Sequence, residues 1–149
     1  MASVAVAQAN NAGMVGVDWN AKVLPLRVTG RCGVGVVSDI VDALYWAMGA
    51  APASAGLPPN PTPATVINMS LSADVGVFQR CPPAASDSLL LAIAEARRRN
   101  IPVVVAGGNS GGRLGFPAAC SGVIAATAVT SDGDYASYSA RGQQANDLT

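Results

Sequence analysis

The 149 residues contain no histidine. That absence removes the imidazole general base, the Cys/His dyad and the commonest zinc ligand from any chemistry these residues perform alone. Charge is scarce as well: 12% of the residues are charged, and nine basic side chains offset nine acidic ones. The only basic run is Arg97-Arg98-Arg99, so there is no electrostatic footprint for nucleic acid or for an anionic lipid surface. Long apolar runs are missing too. The uncharged stretches 43–73 and 114–131 are both interrupted by Pro and Gly, and neither offers the roughly 18 to 20 consecutive apolar residues of a spanning helix. The opening MASVAVAQANNAG has no basic region, and Ser3 and Gln8 break its apolar stretch, so it does not read as a signal peptide. It reads as the inside of a domain, entered midway. Cysteine is limited to Cys32, Cys81 and Cys120, an odd number without C-x-x-C spacing. This argues against a zinc knuckle and allows one disulfide with one thiol left over.

What is present is a core-forming composition: 50% hydrophobic residues, mean hydropathy +0.35, 16 Gly and 10 Pro. At this length that predicts one domain spanning 1–149. Residues 2–9 read as a short helix remnant ending at the turn signal Asn10-Asn11-Ala12-Gly13. Lys22 to Val28 (KVLPLRV) reads as a strand, weakened where Pro25 removes a ladder donor. From Ser38 the period changes. Ile40, Val41, Leu44, Tyr45 and Met48 share a helical face, with Ser38 placed to cap it. Residues 49–64 are rich in Pro and Ala and read as an exposed crossover loop.

Thr65 to Leu71 (TVINMSL) predicts a strand apolar enough to be buried on both faces. Asp87 to Arg99 predicts a helix capped by Ser86, with Leu89, Leu90, Ile93 and Ala96 inward and three arginines complementing the dipole at its C-terminus. Ile101 to Ala106 and Val123 to Val129 read as further strands. After a turn at 131–134, Tyr135 to Ser139 returns as a fifth. The order β-α-β-α-β-β-β implies an α/β fold with helices crossing over a mostly parallel sheet. Ligands of such sheets lie at the carboxyl ends of the strands.

Three segments leave those ends: 29–36 (TGRCGVGV), 70–76 and 107–112 (GGNSGG). Asn109 stands where buried sequence stops, among glycines that let another backbone approach closely. A neutral carboxamide there can donate a hydrogen bond to developing negative charge. It can equally be a turn residue in left-handed geometry. Phosphate cradling by the glycines lacks support, since neither G-x-G-x-x-G nor Gly-Lys-Ser/Thr occurs.

The strings VINMSL (66–71), IPVVVAGGNSG (101–111), GVIAATAV (122–129) and ASYSARG (136–142), in this order and spacing, closely resemble the subtilases, the subtilisin-like serine peptidases. LRVTGRCG (26–33) with SDIVDALYWA (38–47) resembles their secreted bacterial extracellular-protease branch. The resemblance covers nearly the whole chain. It implies a subtilisin-like three-layer α/β fold with helices on both faces of the sheet, here incomplete, and peptide-bond hydrolysis through an acyl-enzyme.

By the same resemblance, Asn109 stands at the place of the oxyanion donor. Gly33, Val34 and Gly35 would form one substrate-binding edge and Ser70, Leu71 and Ser72 the other, holding an extended peptide or protein substrate as an added strand. Gly107 and Gly108 would floor the primary pocket, near Phe116-Pro117. Ser72-Ala73 replaces the usual Gly-Gly, and Gly107-Gly108 the usual Ala-Gly. A Cys32–Cys81 disulfide is implied, with Cys120 left over. Calcium is a candidate ion, with Asn10-Asn11 near one loop that binds it, although the loop here is one residue shorter than in subtilisin.

The departures bear on mechanism. A subtilase takes Asp from an early D-x-G motif, His from H-G-T-H and Ser from G-T-S-M-A-x-P; the early Asp motif and the Ser motif are expected outside these residues, and no His occurs among them. Ser70, Ser110 and Ser139 have no basic partner to activate them. The expectations are therefore no peptidase activity from these residues alone, secretion of the parent protein, no nucleic-acid or membrane partner, and self-association through bare sheet edges. The alternatives are a non-catalytic peptide-binding remnant of the fold, or a Rossmann-like nucleotide binder.

Overall fold

A computed structural model describes residues 1–50, 56–72, 81 and 87–142. Six elements follow one another: α1 (Ala2–Val6), α2 (Val37–Ala47), β1 (Ile67–Met69), α3 (Ser88–Arg98), β2 (Val103–Ala106) and β3 (Ile124–Ala126). The strands form a parallel sheet in the order β1-β2-β3. Ile67 is in register with Val103 and Met69 with Val105, while Val104 pairs with Ile124 and Ala106 with Ala126. The α/β fold with a parallel sheet stands as expected.

One face of this sheet holds the core. Ile67, Met69, Val103 and Val105 are buried there with Leu44, Ala47 and Met48 of the α2 end and with Leu89, Leu90, Ala92, Ile93 and Ala96 of α3. The inward α3 residues are those the periodicity selects. Ala92 and Ala96 are small enough for close helix approach, and each large apolar side chain buried here contributes about 1.5–3 kcal/mol. The opposite face is open among the described residues: Val66 and Ile124 are 57% and 56% exposed. Thus β1 alternates buried, exposed, buried and is not buried on both faces as expected.

The helix ends explain their own lengths. α3 is capped by Asp87, whose Oδ1 accepts from the Leu89 and Leu90 amides at 2.9 and 3.1 Å. The expected cap, Ser86, lies outside the described residues. At the other end Asn100 takes φ 58°, with Asn100 N–H donating to Arg97 and Ile101 N–H to Ala96. This Schellman closure turns the chain directly into β2. α2 closes the same way around Gly49, with Ala50 N–H bonded to the Tyr45 carbonyl. Its start differs from expectation: Val36 is the N-cap, without a side-chain bond, and Ser38 lies inside the helix.

Residues 56–64 are anchored to α2. Asn60, buried, donates to the Trp46 and Ala47 carbonyls at 3.1 and 3.2 Å, and Trp46 Nε1 donates to the Pro58 carbonyl at 2.6 Å. Composition had suggested a loop that was merely exposed. Residues 51–55 of it lie outside the described residues.

Two expected strands are absent from the ladder. Residues 22–28 carry no strand pairing. Leu26 and Val28 instead line a cavity of about 250 Å³ together with Ile67, Met69 and Leu71. Residues 135–139 form one isolated bridge, Val129 to Tyr135, and one bond from Ala136 N–H to the Ala128 carbonyl.

The disulfide expectation is corrected. Cys81 is bonded to Cys120, with Cα atoms 5.2 Å apart, and Cys32 is a free, exposed thiol. The turn through Phe116–Cys120 carries Cys120 into the core beside Cys81, whereas Cys32 sits in a loop whose residues 30–36 are all exposed. The pair implied by the resemblance, Cys32–Cys81, is replaced because the chain after β2 returns Cys120 to Cys81.

Two outcomes are expected. The unreduced chain alkylates one thiol, at Cys32. Reduction, which releases a closure of 39 residues in sequence, lowers unfolding free energy in denaturant by about 2–4 kcal/mol; three alkylated thiols without reduction would contradict the pairing. On α3, Glu95 accepts from Arg98 at 2.7 Å through both oxygens and from Arg99 at 2.6 Å. Hydrogen bonds from Arg98 and then Arg99 lower its pKa from 4.5 to about 2. A depressed carboxyl pKa stabilises the fold above the unfolded value and loses that contribution as pH falls through the folded one. The Tm deficit of Glu95→Gln is therefore present at pH 7 and disappears between about pH 4.5 and pH 2.

Candidate functional site

Parallel pairing sends the chain out of β1 and β2 on the same side of the sheet. The exit from β2 is the more tightly specified. Gly107 N–H donates to the Ala126 carbonyl at 2.8 Å, and Gly115 N–H returns to the Gly107 carbonyl at 3.3 Å. A Cβ at Gly107 would lie 2.8 Å from Thr127 Cγ2 and 2.9 Å from Leu114 Cδ2, so a side chain here requires those two side-chain tips to shift.

From there the loop is laced to the 138–141 segment. Ala140 N–H donates to Gly108, Gly111 N–H to Tyr138, Arg141 N–H to Gly112 and Leu114 N–H to Arg141, at 2.8–3.2 Å. These bonds hold the backbone on both sides of Asn109. Its side chain is exposed and has no hydrogen-bond partner among the described residues. Backbone rigidity with a free carboxamide is the arrangement a hydrogen-bond donor to a bound oxyanion requires.

The β1 exit reaches the same loop. A Cβ at Gly115 would stand 4.0 Å from Ser72 Cβ. Ser70 Oγ accepts from Asn68 Nδ2 at 2.9 Å, Leu71 packs against the core, and Ser72 is exposed. Ala73 and the rest of that exit through residue 80 lie outside the described residues. The structure thus brings Ser72, Gly107, Gly108 and Asn109 to one end of the sheet.

Gly33, Val34 and Gly35 form a separate exposed loop, closed by Gly30 N–H to the Val34 carbonyl at 2.8 Å. A side chain at Gly35 would collide with the Val28 carbonyl. No hydrogen bond among the described residues joins this loop to 70–72 or to 107–109. Ser70 and Leu71 line a cavity with Leu26 and Val28.

The three serines have structural partners. Ser139 Oγ, buried, accepts from Ala128 N–H at 2.8 Å; Ser110 Oγ accepts from Gly112 N–H; Ser70 accepts from Asn68. A larger cavity, about 610 Å³, opens at the amino ends of β2 and β3 among Arg97, Asn100, Ile101, Cys120 and Val123, away from Asn109. The 10–13 turn is closed by its own first side chain. Asn10 Oδ1 accepts from Ala12 N–H at 3.2 Å. No group of three His, Cys, Asp or Glu side chains converges among the described residues.

Sequence reasoning missed the bracing by 138–141. Its trace was the short alternation in ASYSARG, which suggested a strand in place of a loop-binding segment.

Residues 1–148 match the family described as the subtilase family. The chain belongs to the subtilase family. It is 44% identical over 139 residues to an extracellular protease of Xanthomonas campestris pv. campestris, covering 92% of this chain and 22% of that protein. To an extracellular basic protease of Dichelobacter nodosus it is 34% identical, covering 92% and 21%. Among solved structures, a protease of Pseudoalteromonas arctica superposes with a TM-score of 0.82 at 40% identity, covering 95% of this chain and 39% of that one. This subtilase chain therefore spans about a fifth of the length of the two extracellular relatives.

Proposed function

We propose that these residues supply the oxyanion donor and substrate-binding edges of a subtilisin-like serine endopeptidase, and that they do not cleave peptides by themselves. The observation that carries the reading is Asn109: an unpartnered carboxamide on a backbone hydrogen-bonded on both sides, at the carboxyl end of the central strand. In this reading the Asn109 Nδ2 group donates to the oxyanion of the tetrahedral intermediate. It gains most when charge develops and so lowers the barrier more than it tightens substrate binding. Residues 70–72 and 33–35 pair with an extended peptide as a strand pairs with a sheet edge. The names of the two extracellular relatives support secretion of the protein.

The total absence of histidine favours one further statement about the 149 residues alone. Without a general base, no serine hydroxyl here is activated, and peptide is bound without turnover.

Both parts are testable. The purified chain is expected to leave a fluorogenic peptide uncleaved; turnover that survives repurification and migrates with the chain overturns that expectation. For Asn109, the matching stretch of the Xanthomonas protease is replaced by this chain. Asn109→Leu in that chimera is expected to lower kcat by about 10²–10³-fold with KM little changed, a magnitude carried over from subtilisin's own oxyanion asparagine. An unchanged kcat would remove Asn109 from the role.

A further inference from the structure

Arg113 and Arg141 are four and thirty-two residues beyond Asn109 in sequence, yet they face each other. They form an isolated parallel bridge, made by Arg141 N–H to the Gly112 carbonyl at 2.8 Å and Leu114 N–H to the Arg141 carbonyl at 3.2 Å. Paired positions of a ladder project to the same face, so two guanidinium stems start side by side. Like charges placed directly opposite are destabilising. Nothing described offsets them: both residues are exposed, and the ion pairs among the described residues are Glu95 with Arg98 and with Arg99. Asp132 and Asp134, in the turn before Tyr135, lie outside ion-pair distance of either arginine. Arg141 is further held by Tyr135, with its guanidinium carbon 5.3 Å from the ring centroid, a cation–π contact that fixes the charge in place.

The chain thus starts two exposed, unpaired arginines from bridged backbone positions, one in the loop that carries Asn109 and one in the segment hydrogen-bonded to it. We propose that Arg113 and Arg141 select an acidic side chain in the extended peptide bound at this end of the sheet. The proposal rests on the reading of that end as a peptide site. A carboxylate set between two guanidinium groups accepts charge-assisted hydrogen bonds from both and removes their mutual repulsion. Glutamate and aspartate are therefore favoured over their amides, and lysine is disfavoured, at the substrate position that reaches the pair.

The test uses the full 149-residue chain and fluorescence anisotropy of labelled hexapeptides. One Glu is moved through the six positions, and Gln and Lys peptides are matched to each. At one position the Glu peptide is expected to bind about five- to tenfold more tightly than the Gln peptide in low salt. The Lys peptide binds more weakly still, and the preference shrinks in about 0.5 M salt. Arg113→Gln and Arg141→Gln each reduce the preference while leaving affinity for the Gln peptide intact. Arg113→Lys keeps most of it, which separates charge from loop packing. Equal affinity for Glu and Gln peptides at every position overturns the proposal and leaves the peptide-site reading standing. A preference that survives in both Gln variants also overturns it. Binding of none of the peptides removes the peptide-site reading and the proposal with it.

Discussion

β2 is hydrogen-bonded to a strand on each side, and the other described elements take their positions from it. Val103 and Val105 are buried beneath α3, and the strand ends at Ala106 because the next residue must accept close approach from Thr127 and Leu114. A side chain at position 107 would require the tips of Thr127 and Leu114 to give way. The central strand therefore decides both where the core lies and where the exposed chemistry begins.

The loop after β2 is held mainly by backbone groups, with Ser110 Oγ accepting from Gly112 N–H. Gly108, Gly111, Gly112 and Leu114 exchange hydrogen bonds with residues 138–141, and Ser139 is buried between them and the end of β3. Satisfying these main-chain groups internally leaves the side chains of Asn109 and Arg113 without a hydrogen-bond partner among the described residues, while Arg141 stacks on Tyr135. Rigidity of backbone and freedom of side chain are both needed if a hydrogen bond is to be strongest in a transition state.

The disulfide and the helix caps tie this arrangement together from the other end. Cys120 follows the buried Phe116-Pro117 segment, and its bond to Cys81 fastens that segment to the chain that leads into α3. Asp87 starts α3 and Asn100 ends it. The helix consequently has a fixed length between the disulfide and β2.

The helix faces, the β2 strand and its glycine stop were legible from the residues, because burial imposes a period that composition reveals directly. So was the family, since several separated strings agreed at once. Pairing of distant positions was not legible. The Cys81–Cys120 bond, the loss of 22–28 and 135–139 from the ladder, the anchoring of Asn60 under α2 and the meeting of Arg113 with Arg141 all depend on where loops carry the chain. Local sequence sets which residues prefer to be buried or turned. Which of them meet is decided only when the core closes, because contacts between distant residues are chosen by packing and hydrogen-bond satisfaction across the whole fold.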